Sequence, residues 1–455
     1  MKNGKRSSFS GKLGYVLAAA GASVGLGNIW RFPYLAAKYG GGIFLIIYIV
    51  LALTFGYTMI VAETAIGRMT RKSPVGAFKS FGKKKWLSFG GWINAVIPVL
   101  IVPYYSVIGG WVIKYLVEYF RGNAKLLAED GYFTDFISNG VSTELCFVAF
   151  CAFTLIIIFA GVQNGIERVS KIMMPILIVL SVIIAVYSVT RPGALAGVKY
   201  FLVPNVKNFS WMTVVSAMGQ MFYSLSIAMG ILITFGSYMK KDTAIEDSTR
   251  NVEIFDTGIA IMAGLMIIPA VFAFSGGDPD TLQAGPSLMF ITIPKVFQNM
   301  GFGTVIGIVF FVLVLFAAVT SSIALTESAV STFEDELGWG RKKATVLVGV
   351  IMLALGSLSS LGYGPLAGIK IIGMQFLDLF DFLTNSVMMP IAALLTSLLV
   401  SRVVGIDKIE DEIIHGESAF RRKKVFVVMI KYLCPVFAII ILLSSVANAL
   451  GWIKM

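Results

Sequence analysis

Charge is scarce in this 455-residue chain: Asp, Glu, Lys and Arg make up 14% of it, where a soluble domain carries about 25%. With 57% hydrophobic residues and a mean hydropathy of +0.84, an ordinary water-soluble globule is excluded. Cysteine is equally thin. Cys146, Cys151 and Cys434 all fall inside apolar runs, where they read as small buried hydrophobes rather than a disulfide scaffold. The one histidine, His415, sits in the charged stretch 402–424, a solvated surface that offers no metal or catalytic cluster. No GxxxxGK[ST] phosphate loop occurs, so nothing supports ATP as a partner, and nothing marks an enzyme. The net charge of +12 comes from residues lying between long apolar runs, which points to membrane faces and away from nucleic acid.

What the chain has is apolar length. A membrane-crossing helix needs about 20 predominantly apolar residues, and eleven stretches free of Asp, Glu, Lys and Arg answer to that: 13–30, 40–62, 86–113, 145–166, 172–190, 208–239, 257–277, 296–326, 344–369, 382–401 and 432–453. The fold class is all-α integral membrane, with 1–455 as one transmembrane domain. Placing the N-terminus inside puts 25 of the 37 Lys and Arg residues on the inner side and 11 on the outer, the asymmetry expected of the inner face. Eleven crossings then leave the C-terminus outside. The longest irregular pieces, 121–144 and 278–300, are both outer, and the second reads either as a lid over an outer vestibule or as a plain surface loop.

Two of the stretches carry helix-breaking composition. The first holds Gly21, Gly25 and Gly27 within seven residues, and each glycine costs about 1 kcal/mol in a helix interior. The sixth holds Ser224-Leu225-Ser226-Ile227-Ala228-Met229-Gly230, which taken alone is better explained by close helix packing. Their placement is more informative than either run, because each opens a block of five spans. Paired interruptions at corresponding positions point to inverted repeats with a midplane binding site, giving repeat one at about 13–190, repeat two at about 208–401 and an extra helix at about 425–453. Freed carbonyls and helix C-termini suit a cation, while helix N-termini suit a carboxylate. An amino acid with sodium beside its carboxylate satisfies both.

The motif Gly25-Leu26-Gly27-Asn28-Ile29-Trp30-Arg31-Phe32-Pro33, followed by Gly40-Gly41-Gly42, resembles the first-span signature of the neurotransmitter:sodium symporter family. Gln220-Met221-Phe222-Tyr223-Ser224-Leu225-Ser226 is similar to its sixth span, and Thr320-Ser321-Ser322 with Glu334-Asp335-Glu336-Leu337 to its eighth. Eleven spans and short tails resemble the bacterial amino acid branch, which implies a prokaryotic cytoplasmic membrane. The resemblance implies a first sodium site from Ser23, Asn28, Ser224 and Asp256, and a second from carbonyls of Gly21, Val24 and Ala317 with hydroxyls of Thr320 and Ser321. No organic cofactor is implied. Oxygen ligands suit a hard cation. Substrate contacts are implied at Ser23, Gly27, Ile101, Tyr105, Tyr223, Ser224, Ser226, Met229, Ser321 and Leu325. Gly25 stands where monoamine-carrying relatives have Asp, leaving room for a substrate that brings its own carboxylate. Ala228 and Met229 stand where a leucine-carrying relative has Gly and Phe, and methionine adapts to varied shapes, which favours a large hydrophobic or aromatic amino acid.

The same resemblance implies gates: Arg31 with Asp381 outside, capped by Tyr105 and Tyr223, and Arg6 with Asp335 inside, aided by Tyr238 and by Phe9, which replaces the family's usual Trp. Gly165 and Pro175 match a spacing that bacterial members use to unwind the fifth span, a static kink being the alternative. Asp256 stands where chloride-dependent animal members have Asn, with chloride near residues matching Tyr48, Gln220 and Ser224. A fixed carboxylate there implies chloride independence. A channel is disfavoured, since no ring of charge or filter motif appears. The expectation is a sodium-coupled amino acid symporter working by alternating access, with a membrane amino acid receptor or sensor using the same pocket as the alternative.

Overall fold

The computed structural model describes residues 6–276, 285–449 and 452, so residues 278–284 of the expected outer lid and the expected outer C-terminus at 453–455 lie outside the described residues. Among the described residues the regular elements are all helical, with two isolated β-bridges, Gly41 to Pro204 and Ile371 to Met374. Nine helices among the described residues are long and apolar enough to cross a bilayer unaided: Gly42–Thr70, Lys85–Phe120, Gly140–Phe159, Val162–Val189, Ile245–Ser275, Gly303–Leu337, Arg341–Leu361, Phe376–Val404 and Lys423–Asn448. A tenth crossing is a pair, Lys12–Ser23 and Gly27–Lys38, bent by 53°. In the sixth position stand two shorter helices, Trp211–Ser224 and Ile231–Tyr238, parted by residues 225–230. A count of eleven therefore requires reading that pair as one interrupted crossing.

Several boundaries differ from the charge-free runs, for two physical reasons. Helices continue through charges that have partners. The second span runs on to Thr70 with Glu63 and Arg68 both fully buried, and the seventh begins at Ile245, twelve residues before the apolar run does. Conversely, uncharged residues do not guarantee helix. Residues 160 and 161 break the chain at Gly161 (φ 88°) before the fifth span begins at Val162, 299–302 separate a short helix from the eighth, and 362–369 are turns and coil. The outer piece 121–144 contains two short helices, Ala124–Leu127 and Tyr132–Ser138. The described part of the second outer piece is packed: Phe290 stacks on Phe133 at 5.1 Å and meets the edge of Trp111 at 5.8 Å.

The two interruptions are built differently. In the first span the helix ends at Ser23, Val24 turns extended (φ −74°, ψ 95°), and the chain resumes with a widened turn at Gly27–Arg31. In the sixth, Ser226, Ala228 and Gly230 all take left-handed φ, at 52°, 59° and 70°. For residues other than glycine that conformation costs roughly 1 to 2 kcal/mol each, so surrounding contacts must hold it. Ser226 donates its hydroxyl to Ala22 O (2.9 Å), and the Ala228 N–H donates to Glu63 Oε1 (2.7 Å). Helix Lys12–Ser23 packs against the fifth, seventh and eighth spans, and the third span against the eighth, so both breaks face one interior.

Candidate substrate and cation site

Because the breaks interrupt the helical hydrogen-bond ladder, backbone groups of residues 21–28 and side chains of four spans meet in one enclosed cavity. Nine of the ten expected substrate contacts line it: Ser23, Gly27, Ile101, Tyr105, Tyr223, Ser226, Met229, Ser321 and Leu325. Ser224 does not; its hydroxyl turns to Asp256. Tyr105 accepts the Leu26 N–H through its hydroxyl at 3.2 Å. Glycine is required here by proximity. A Cβ on Gly25 would lie 2.6 Å from Ser321 Oγ and 3.1 Å from Tyr105 Oη, and one on Gly27 would lie 2.3 Å from the Tyr223 ring. The enclosed space is about 20 Å³, room for about one water, so a larger occupant requires the lining to rearrange.

Beside the cavity lies a fully buried polar cluster. Asp256, inside the seventh helix rather than at its end, receives hydrogen bonds from Asn28 Nδ2 (2.8 Å), Ser224 Oγ (2.9 Å) and Tyr48 Oη (3.0 Å). Three of the four expected ligands of the first sodium thus converge. Ser23 instead donates to Ala19 O at 3.1 Å and approaches Leu225 O at 3.4 Å. Gln220 donates to Gly27 O at 3.0 Å, tying the sixth span to the break in the first. Buried polar groups of this kind persist when they have partners; Asn28, Ser224, Tyr48 and Asp256 satisfy one another, while the Gln220 Oε1 is buried without a partner among the described residues.

The residues expected for the second sodium also adjoin. Ser321 Oγ lies 3.3 Å from Gly21 O, 3.1 Å from Ala22 O and 3.4 Å from Val24 O. Thr320 Oγ1 donates to Phe316 O (3.0 Å) and Ala317 O (3.2 Å), and a Cβ on Gly21 would meet Thr320 Cβ at 3.1 Å. All donors of this set are oxygens, the chemistry a hard cation selects. The fifth span is helical from Val162 through Pro175 to Val189, with a widened turn over Val162–Glu167 that includes Gly165.

At the end near Arg6, the expected inner side, the site is closed by a network of contacts. Arg6 pairs with Asp335 at 2.6 Å, donates to Ser237 and Ser331, and lies over the Tyr238 ring at 5.0 Å. Phe9, 1% exposed, meets the edges of Tyr15, Phe235 and Tyr238 at 5.6 to 6.1 Å. At the opposite end, the expected outer side, Arg31 and Asp381 form no ion pair. Arg31 sits over the Tyr223 ring at 5.4 Å, while Asp381 is engaged by Tyr104 (3.1 Å) and Asn385. Above Tyr223 opens a cavity of about 510 Å³ lined by Trp30, Tyr104, Phe222, Asp381 and Asn385, among others. Tyr104, Glu63 and Glu327, which accepts from Tyr238 at 2.7 Å and is bound by Arg341, are structural participants that composition alone did not single out. Glu63 carried a signal, since an ionisable residue within a span is by default functional.

Comparison with known proteins shows the family and the fold. The sequence model of the Sodium:neurotransmitter symporter family matches residues 6–130 and 131–452. An uncharacterized sodium-dependent transporter of Bacillus subtilis is 34% identical over 450 residues, covering 98% of this chain and 99% of its own. Another from Haemophilus influenzae is 31% identical over 460 residues, covering 97% and 99%. The crystal structure of MhsT in complex with L-phenylalanine superposes with a TM-score of 0.86 at 34% identity, covering 97% of this chain and all of that one. These relatives are transporters, not enzymes, and sodium use and membrane embedding follow from the family. The chain belongs to the sodium:neurotransmitter symporter family.

Proposed function

We propose that this protein is a sodium-coupled symporter of a large hydrophobic or aromatic L-amino acid, working by alternating access without chloride in a prokaryotic cytoplasmic membrane, N-terminus inside and C-terminus outside. The observation that carries the reading is the meeting of both helix breaks at one cavity, with glycine at position 25 packed against Ser321 and Tyr105. The substrate carboxylate would take the Tyr105 hydroxyl and the break in the first span, and its side chain the Ile101, Met229 and Leu325 wall. The first ion would sit among Ser23, Asn28, Ser224 and Asp256, and the second between Gly21, Val24, Ala317, Thr320 and Ser321. The L-phenylalanine of the MhsT structure supports an aromatic substrate. Halves 13–190 and 208–401 would serve as the inverted repeats, with 425–453 outside them.

Sodium stabilises the substrate-ready form to the extent that it binds that form more tightly than the other, and this difference is the coupling. Asp256 supplies a fixed negative charge at the first ion, removing the need for chloride, and its protonation on the empty return step is part of the same proposal. Equilibrium binding of radiolabelled phenylalanine tests the pocket: sodium should be required, and Gly25→Ala should weaken binding by about tenfold or more, since about 1.4 kcal/mol of lost contact is tenfold. Transport with gluconate in place of chloride tests the anion. Wild type should be indifferent and Asp256→Asn should become chloride-responsive; indifference in both would remove Asp256 from that role.

A further inference from the structure

On the membrane-facing side, the second span, the seventh span and the start of Lys423–Asn448 enclose a groove of about 400 Å³ that the transport reading does not use. Its size falls within the roughly 300 to 1,000 Å³ of small-molecule clefts. One wall is apolar and outward-facing: Leu53 is 46% and Ile254 58% exposed, and beside Gly258 there is open space where a Cβ would stand. The other end is cationic. Arg422 lies over the Tyr57 ring and holds Glu253 at 3.2 Å, so that carboxylate is already neutralised.

Among the described residues, Arg250, exposed at the mouth, has no hydrogen-bond partner and no ion pair within 4 Å. The acidic groups around it have nearer partners, though Asp247 and Glu253 also feel its charge: Asp247 pairs with Lys12, Glu253 with Arg422, Glu246 accepts from the Tyr57 hydroxyl and the backbone N–H groups of Arg421 and Arg422, and Glu417 accepts the Glu246 N–H. Arg250 stands six residues from Asp256 along one helix, about 9 Å at 1.5 Å per residue, on the side of the Arg6 lock. A guanidinium facing hydrocarbon is costly unless it finds an anion, and basic pockets between helices at the inner face suit anionic headgroups.

We propose that this groove binds an anionic phospholipid, its phosphate against Arg250 and Arg422 and its first acyl carbons along Leu53, Ile254 and Gly258. The groove is open to the bilayer and half apolar, which favours a diacyl lipid over free phosphate. Native mass spectrometry of the detergent-purified protein with phosphatidylglycerol, phosphatidylcholine or glycerol phosphate tests it. Phosphatidylglycerol should be retained over the other two. Arg250→Gln should reduce its occupancy about fivefold, the equivalent of about 1 kcal/mol for one cation at an anionic surface. Gly258→Leu, which fills the groove and leaves the charge, should reduce it as well. Both variants should keep sodium-dependent amino acid binding, which separates this site from the transport pocket. Equal retention of phosphatidylcholine, capture of glycerol phosphate in its place, or unchanged occupancy in both variants overturns the proposal.

Discussion

The two ends of the central cavity are closed by different means. At the inner end one guanidinium makes four side-chain hydrogen bonds, and Phe9 adds three aromatic edges beneath it. At the outer end the corresponding arginine rests on Tyr223 and its expected partner Asp381 is bound to Tyr104 and Asn385, with a wide cavity above. A pathway so built is shut inside by a network and outside by little more than two tyrosines. If these two ends act as gates, as proposed, the outer one has fewer contacts to break than the inner one.

The comparison is sharpest where the inner seal is removed. Phe9→Ala should cost about 3 kcal/mol, as buried phenylalanine truncations do, read as a lowered thermal midpoint. Arg6→Ala should cost about 1.5 to 3 kcal/mol for lost charge-assisted bonds. Hydrogen exchange should rise in Lys12–Ser23 and Ile231–Tyr238 and stay unchanged in Phe376–Asp381. A rise at both ends would mean the gates are not separable. Relief of backbone strain is a smaller effect of opposite sign: Ala228→Gly should stabilise by about 0.5 to 1 kcal/mol, because glycine accepts left-handed φ without penalty, and a lowered midpoint would show that Ala228 is held by packing instead. The smallest effect is at the outer end. Asp381→Asn, which breaks no ion pair, should shift stability by less than about 1 kcal/mol, and a larger loss would show that Arg31 and Asp381 are coupled in the resting protein.

Much of this was legible in the sequence. Three glycines in seven residues announced the first break, and the spans followed from apolar length. The sixth-span break was weaker on paper, since its geometry depends on Ser226 and Ala228 adopting left-handed φ and on Glu63, a residue 165 positions away, holding Ala228. Long-range partners also explain the boundary errors: Glu63 ends an apolar run, yet it and Arg68 stay in a buried helix because Glu63 accepts the Ala228 N–H and Glu412 pairs with Arg68 at 2.6 Å. The outer ion pair failed to appear for the same kind of reason, as Tyr104 and Asn385, unremarkable in sequence, compete for Asp381. Ser224 belonged to two expected sets, and its single hydroxyl serves Asp256.

The most direct measurement is uptake of radiolabelled phenylalanine and leucine into proteoliposomes carrying the purified protein under an inward sodium gradient, repeated with potassium in place of sodium. Accumulation above equilibrium that collapses in potassium is the expected result. Saturable binding without accumulation would make the protein a receptor, and equilibration indifferent to sodium would contradict both ion sites.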